Sequence, residues 1–353
     1  MPSWFSWSAI TARLTGRPGP LPVDERPAPA PLSLARSLPV RQQAMQQAEQ
    51  AMEWKAAARI AAELCNAWLL LGEWQQVQTT AAQGEAWLAR QDDPLTRIYL
   101  HTRLATAQHR LGAWQESRAT FQEAEKWQAG RDTGYHWLIG LPGQAYCDLL
   151  LDQAREASEW EMVLHRSHYS QKVARNVFAV ALDLQTQGRA LAALGQQETA
   201  RATFAQAVAT LRKANRRAFL PEVLLHQANH LRSQGETPAT LRPLLDEALT
   251  IATDEGLRPA TVHGNLLAGH LLLDEGKETE AATALFTAET ILDELGYEQC
   301  RVAADILRAR LLWRQGQQAA AGQWRDRTRQ MIEQHGQWSL LPAWERETAF
   351  APP

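Results

Sequence analysis

The segment GRALAALGQQETARATFAQA, residues 188–207, contains the pattern that decides the fold. A helical pattern lies on each side of a polar break at Gly195, and Ala200, Phe204 and Ala207 share one face of the second helix. Similar breaks recur at intervals of 40 to 43 residues. They lie at Gly72, Gly112, Asp152, Gly195, Gly235, Gly276 and Gly316. This regularity predicts a repeat protein in which each unit contains two helices of roughly 17 residues.

A column of small side chains supports the same register. It lies seven residues before each break, at Cys65, Ala105, Ala145, Gly188, Ala228, Gly269 and Ala309. Two helices approach to about 8–10 Å only where the side chains at the crossing point are small. The column therefore predicts where neighbouring helices touch.

The composition favours helix. Ala, Gln, Leu, Arg and Glu dominate, whereas the residues typical of strands are sparse apart from Thr and Trp. We therefore expect an all-α fold in which stacked helix pairs share a continuous core and each unit touches only its neighbours.

Three regions follow from this register. Residues 1–39 are rich in proline, which predicts an extended N-terminal tail and linker. The first residues of this tail could form a short anchoring helix, or the tail could be loosely ordered. Residues 40–336 contain the seven repeats, and residues 337–353 form a C-terminal cap and tail.

Two repeats depart from the common pattern. In the fifth repeat, Pro238 indicates that the second helix starts late and uses proline in its first turn. In the third repeat, Gly140, Pro142 and Gly143 are expected to shorten the first helix.

These positions resemble the tetratricopeptide repeat. The matching residues are Gly188, Leu191, Gly195, Ala200, Phe204 and Ala207 in the fourth unit, and Leu104, Ala105, Gly112, Trp114, Phe121 and Ala124 in the second. The units exceed the usual length of about 34 residues and lack the terminal proline. They are more similar to the longer repeats of bacterial signalling proteins, such as maltose-activator-type regulators and peptide-binding quorum regulators. The resemblance covers about residues 40–336 and implies a tetratricopeptide-like superhelical solenoid of about seven helix pairs.

The resemblance also implies a concave groove lined by the first helix of each pair. The residue after each small side chain would face this groove, and arginines on or beside the same surface would join it. These predicted groove residues are Asn66, Thr106, Tyr146, Arg189, Asn229, Arg232, His270, Arg310 and Arg314. Amides can bond to a peptide backbone, and guanidinium groups bind carboxylates. We expect a protein or peptide partner with acidic or C-terminal carboxylate features; the alternative is a solvated surface without selectivity.

Charge and hydropathy exclude other partners. The 36 basic and 39 acidic residues give a formal charge of −3, which predicts no direct binding to nucleic acid. No stretch is apolar enough for a membrane span, so we expect no membrane partner. Three widely spaced cysteines favour a reducing compartment, and we expect a cytoplasmic protein.

No pattern typical of catalysis emerges. His226 and His230 have the i, i+4 spacing that can bind zinc, but no third ligand is evident. We therefore predict no enzyme, no catalytic residues, no metal and no cofactor. The sequence favours an interaction scaffold or sensor. The alternative is a regulatory protein of transcription or signalling that acts through a separate DNA-binding or effector partner, and the oligomeric state is not indicated.

Overall fold

A computed structural model describes residues 34–131, 134–174 and 176–349. These residues form sixteen α-helices and three short 3-10 turns, and the described ranges contain no strand. The prediction of an all-α fold is confirmed. None of the described helices is long and apolar enough to cross a bilayer. The extended tail and anchoring helix predicted within residues 1–33 lie outside the described residues.

The helices pack in neighbouring pairs, α2 with α3 through to α14 with α15, and one further described helix lies at each end of this series. The prediction of about fourteen helices did not include these two end helices. In chain order the helices are α1 (Leu34–Gln50), α2 (Trp54–Leu71), α3 (Trp74–Leu88), α4 (Pro94–Arg110), α5 (Trp114–Gly130), α6 (Gly140–Gln153), α7 (Ala157–Val173), α8 (Val177–Ala193), α9 (Gln197–Lys213), α10 (Leu220–Ser233), α11 (Pro238–Glu255), α12 (Arg258–Asp274), α13 (Glu278–Leu295), α14 (Arg301–Arg314), α15 (Gln318–His335) and α16 (Leu341–Thr348).

The turn inside most pairs uses a left-handed glycine. Gly72 has a φ of 88°, and the N–H of Glu73 donates to the carbonyl of Trp68 at 2.9 Å, which closes the end of α2. All six predicted turn glycines have positive φ. The seventh break differs, because Asp152 remains in α6 and the chain leaves the helix at Ala154 in an extended conformation.

The helix boundaries differ from the common pattern in the fifth repeat, in the third repeat and at the start of the helical region. Helix α11 begins with Pro238, three residues after Gly235, as the late start predicted. Helix α6 begins at Gly140 and has only 14 residues. Helix α1 begins at Leu34, so the helical region starts before the predicted boundary at residue 39. Packing of α1 on α2 buries Leu38, and this burial offsets the backbone hydrogen bond that Pro39 lacks.

The column of small residues lies where helices touch, as predicted. All seven members are buried. A Cβ added at Gly188 would lie 2.9 Å from the ring of Phe204, and one added at Gly269 would lie 2.5 Å from a methyl carbon of Leu307. Ordinary carbon contacts are about 3.5–4.0 Å, so these two positions have no room for a side chain.

Replacing Gly188 with valine is expected to destabilise the fold by about 1–3 kcal/mol, because the new side chain overlaps the buried ring of Phe204. Urea unfolding followed by circular dichroism measures the change. Gly322→Ala in α15 is the control, since no described atom lies within 4 Å of its added Cβ. This control should leave stability unchanged or raise it by up to about 1 kcal/mol. Equal effects of the two substitutions would contradict the close contact at Gly188.

Contacts also join distant parts of the chain. One hydrophobic cluster contains Leu64 from α2 and Leu266 from α12, together with other residues of α1–α4 and α11–α14. Arg110 donates to the hydroxyl of Tyr297 at 3.3 Å. The expectation that each unit touches only its neighbours is therefore wrong. The early and late first helices face each other, and burying their apolar residues stabilises the contact.

Candidate functional site

The nine predicted groove residues lie in different environments. Three of them, Arg232, His270 and Arg310, meet at one carboxylate of the chain's own last helix. The other six are divided as follows: Arg314 lies at the edge of the same region, Asn66 and Thr106 line a small cavity, Arg189 is in an ion network, Tyr146 stacks on Phe121, and Asn229 is exposed.

The first environment is an acidic–basic group that we call the Glu347 cluster, comprising Glu347, Arg232, His270, Arg310 and Asp274. Arg232 Nη1 donates to Glu347 Oε1 at 2.8 Å, and Arg310 Nη1 lies 3.0 Å from Oε2. The ring Nδ1 of His270 lies 3.5 Å from Oε2. Asp274 pairs with both arginines. Residues from α10, α12 and α14 thus converge on one carboxylate of α16.

The Glu347 carboxylate is held in its charged form. Its side chain is only 4% exposed. Burial by itself would raise its pKa, but hydrogen bonds from His270 and Arg232 outweigh burial and hold the pKa well below its ordinary value. Charge-assisted hydrogen bonds of this kind are stronger than neutral ones. The cluster therefore has the chemistry of a carboxylate-binding site that the chain itself occupies.

Helix α16 has a second attachment and an open neighbouring surface. The indole N–H of Trp344 donates to the carbonyl of Arg325 at 3.0 Å, and the ring packs beside Ile306 and Ile332. Next to the Glu347 cluster lies a cleft of about 630 Å³, and Trp313 and Arg314 belong to its walls. The cleft could hold residues that flank a bound carboxylate.

A second ion network lies around Asp152. This carboxylate accepts hydrogen bonds from Gln299 Nε2 at 2.6 Å and Arg189 Nη2 at 3.2 Å, and lies 3.1 Å from His109 Nε2. Burial would raise the pKa of Asp152, but the hydrogen bond and charge of His109, with Arg189, hold the pKa well below its ordinary value. Arg189 also pairs with Asp148. Arg189 therefore has two carboxylate partners inside the chain.

The small cavity, which we call the central cavity, has a volume of about 90 Å³. Six first helices, α2, α4, α6, α8, α10 and α12, contribute to its wall. Asn66 and Thr106, two of the predicted groove residues, lie in this wall beside Arg103 and Arg110. The cavity is thus formed where early and late helix pairs face each other.

The two histidines with zinc-like spacing have separate partners. His226 Nε2 lies 3.9 Å from a carboxylate oxygen of Glu222, whereas His230 Nε2 lies 3.2 Å from the carbonyl of Gln197. Over the ranges that the structure describes, no group of three His, Cys, Asp or Glu residues could hold a metal ion.

Sequence reasoning missed Glu347, Arg103, Asp148 and Asp152. Asp152 carried a signal, because a carboxylate stands where six other repeats have glycine. Glu347 carried none, since its role depends on ion pairs with residues of three earlier helices.

The chain matches no protein-family model and no curated protein. A functional assignment therefore depends on the residues and contacts described above.

Proposed function

We propose that the protein is an interaction scaffold or sensor, built as a tetratricopeptide-like superhelical solenoid, that binds an acidic side chain or C-terminal carboxylate of a protein or peptide partner. The observation that carries this proposal is the convergence of Arg232, His270 and Arg310 on the single carboxylate of Glu347.

The chemistry of the Glu347 cluster is selective for carboxylates. Arg232 donates to both oxygens of the Glu347 carboxylate, and Arg310 Nη1 lies 3.0 Å from one of them. A neutral amide reproduces this geometry poorly because it presents only one acceptor oxygen. Asp274 also pairs with both arginines, and these ion pairs do not involve Glu347. The site is therefore prepared before a partner arrives.

Binding of a partner requires competition with α16. Glu347 is tethered to the site, so its local concentration is on the order of millimolar. A partner carboxylate would replace it, while flanking residues occupy the cleft beside Trp313 and Arg314. Helix α16 has only eight residues, and its release would break the ion pairs of Glu347 and the packing of Trp344 on Ile306 and Ile332.

A peptide that copies α16 tests the proposal. Fluorescein-labelled LPAWERETA, the sequence of residues 341–349, is expected to bind the Glu347→Gln protein at least about tenfold more tightly than the native protein, because the internal competitor loses its charge. Fluorescence anisotropy measures the affinity. The same peptide with glutamine in place of its second glutamate should bind at least about tenfold more weakly, since one charge-assisted contact exceeds 1.4 kcal/mol.

Two further variants complete the test. Glu345→Gln changes an exposed carboxylate on the same helix and should behave as the native protein does. Adding Arg310→Ala to Glu347→Gln should abolish the gain in affinity. Equal binding of the glutamate and glutamine peptides would show that the cluster does not recognise carboxylates.

A further inference from the structure

Three side chains in the wall of the central cavity have a buried N–H group without a hydrogen-bond partner among the described residues. These groups are Nε1 of Trp74, Nε of Arg103 and Nε2 of Gln185. A buried donor without a partner costs free energy, and native proteins rarely leave three such donors around one cavity. A hydrogen-bond acceptor inside the cavity would satisfy these donors.

Arg103 shows that this acceptor should be negatively charged. Its residue is 5% exposed, and it forms no ion pair within the described ranges of the chain. Its guanidinium lies 5.9 Å from the ring centre of Tyr99, and burial lowers its pKa to about 10, so it remains charged at neutral pH. A buried, unpaired cation is strongly unfavourable unless an anion accompanies it.

The acidic residues of the wall do not provide that anion. Asp148 pairs with Arg189 and accepts a hydrogen bond from Gln144 at 2.6 Å. Glu222 lies 3.7 Å from Arg110. Each carboxylate thus has a cation of its own, and the charge of Arg103 remains unmatched.

Another part of the wall is apolar. Leu69, Leu141, Leu182 and Phe219 are among the residues that line the cavity. A phosphate or sulfate ion is polar on every side and would leave oxygens against these groups without donors. A carboxylate with a short apolar stem could pair with Arg103 and place its stem against these apolar side chains.

The volume limits the size of the ligand. A cavity of about 150 Å³ holds the six carbons of benzene, so about 90 Å³ accommodates roughly three to five non-hydrogen atoms. Acetate and propionate fall in this range.

We propose that the central cavity is a binding site for a short-chain monocarboxylate, whose carboxylate pairs with Arg103 and accepts from neighbouring donors while its stem contacts the leucines. The ligand would contact early and late helix pairs together, and its binding would stabilise their association. The site shares no residue with the Glu347 cluster. Its test is therefore independent of partner binding there.

Isothermal titration of the full-length protein with sodium propionate tests the site, with sodium chloride at matched ionic strength and propionamide as comparison titrants. We expect saturable binding of propionate with a Kd of roughly 0.1–1 mM, because so few atoms limit affinity. Propionamide has the same shape without the charge and should bind at least about tenfold more weakly. The melting temperature should rise with propionate and remain unchanged with propionamide.

Arg103→Met should abolish the propionate heat and the rise in melting temperature. Removing an unmatched buried charge is not expected to lower the melting temperature of the ligand-free protein. Arg97→Met is the matched control on the same helix, because Arg97 pairs with Asp92 and does not line the cavity. Arg103→Lys keeps the charge and should retain weaker binding, which provides a second reading if the methionine variant folds poorly.

Three results would overturn the proposal. The first is the absence of saturable propionate binding below about 10 mM. The second is equal affinity for propionate and propionamide. The third is undiminished propionate binding by Arg103→Met.

Discussion

Replacing Asp152 with alanine is expected to lower the free energy of unfolding by about 3–5 kcal/mol. The carboxylate is buried and is shared by His109, Arg189 and Gln299. Alanine leaves the cation of Arg189 with one carboxylate partner and removes the acceptor from Gln299. Gln299 is 147 residues away in the sequence, so the substitution also loosens the contact between distant helix pairs. Urea unfolding at neutral pH measures the loss.

The pH dependence provides a second test of Asp152. A carboxyl whose pKa is lower in the folded state stabilises the fold fully above its ordinary pKa of about 4. That contribution is lost as the pH falls through the folded pKa. The difference in stability between native protein and Asp152→Ala should therefore be constant near neutral pH and shrink below about pH 4.

Ser339→Ala is the control for Asp152. Its hydroxyl lies 3.5 Å from the Asp152 carboxylate, at the limit of a hydrogen bond, so this substitution should cost less than about 1 kcal/mol. A similar loss for Asp152→Ala and Ser339→Ala would show that the ion network does not stabilise the contact between the distant helix pairs.

The helix pairs could be predicted because their determinants are local. Gly72 and Gly195 mark turns where the backbone needs a positive φ, and Gly188 marks a contact where no side chain fits. The glycine turn and the close helix contact recur in most units, so both can be recognised from the period of about 40 residues. At one break Asp152 replaces the glycine, and this residue lies in a buried ion network.

The residues of the Glu347 cluster were predictable only in part. Helical position brought Arg232, His270 and Arg310 to one surface, and the structure places them together. Their partner Glu347 could not be identified, because the contact spans 115 residues from Arg232 and depends on the direction in which α16 packs. Arg103 was missed for a related reason. A single sequence does not show that a helix facing one neighbour also faces helices from the opposite end of the chain.

Replacing Asp183 with asparagine is expected to stabilise the protein at alkaline pH. Asp183 is 2% exposed, and Ser170 Oγ donates to its carboxylate at 3.0 Å. Burial raises the pKa of Asp183 to about 7, above its ordinary value of 3.8. No cation forms an ion pair with it in the described ranges. The protonated form therefore fits this site better than the charged form does.

The sign of the effect follows from proton binding. Between about pH 4 and pH 7 the folded protein holds a proton at Asp183 that the unfolded chain has released, so native stability falls as the pH rises. Each pH unit corresponds to about 1.4 kcal/mol, which gives a loss of up to about 4 kcal/mol over this window.

Asparagine resembles the protonated carboxyl and does not titrate. Asp183→Asn should thus match the native protein near about pH 4 and exceed its stability by up to about 4 kcal/mol near about pH 8, as measured by urea unfolding at both values. Asp246→Asn, at an exposed position of α11, should differ from the native protein equally at both pH values. An Asp183→Asn difference that does not change with pH would mean that the pKa of Asp183 is not raised in the folded protein.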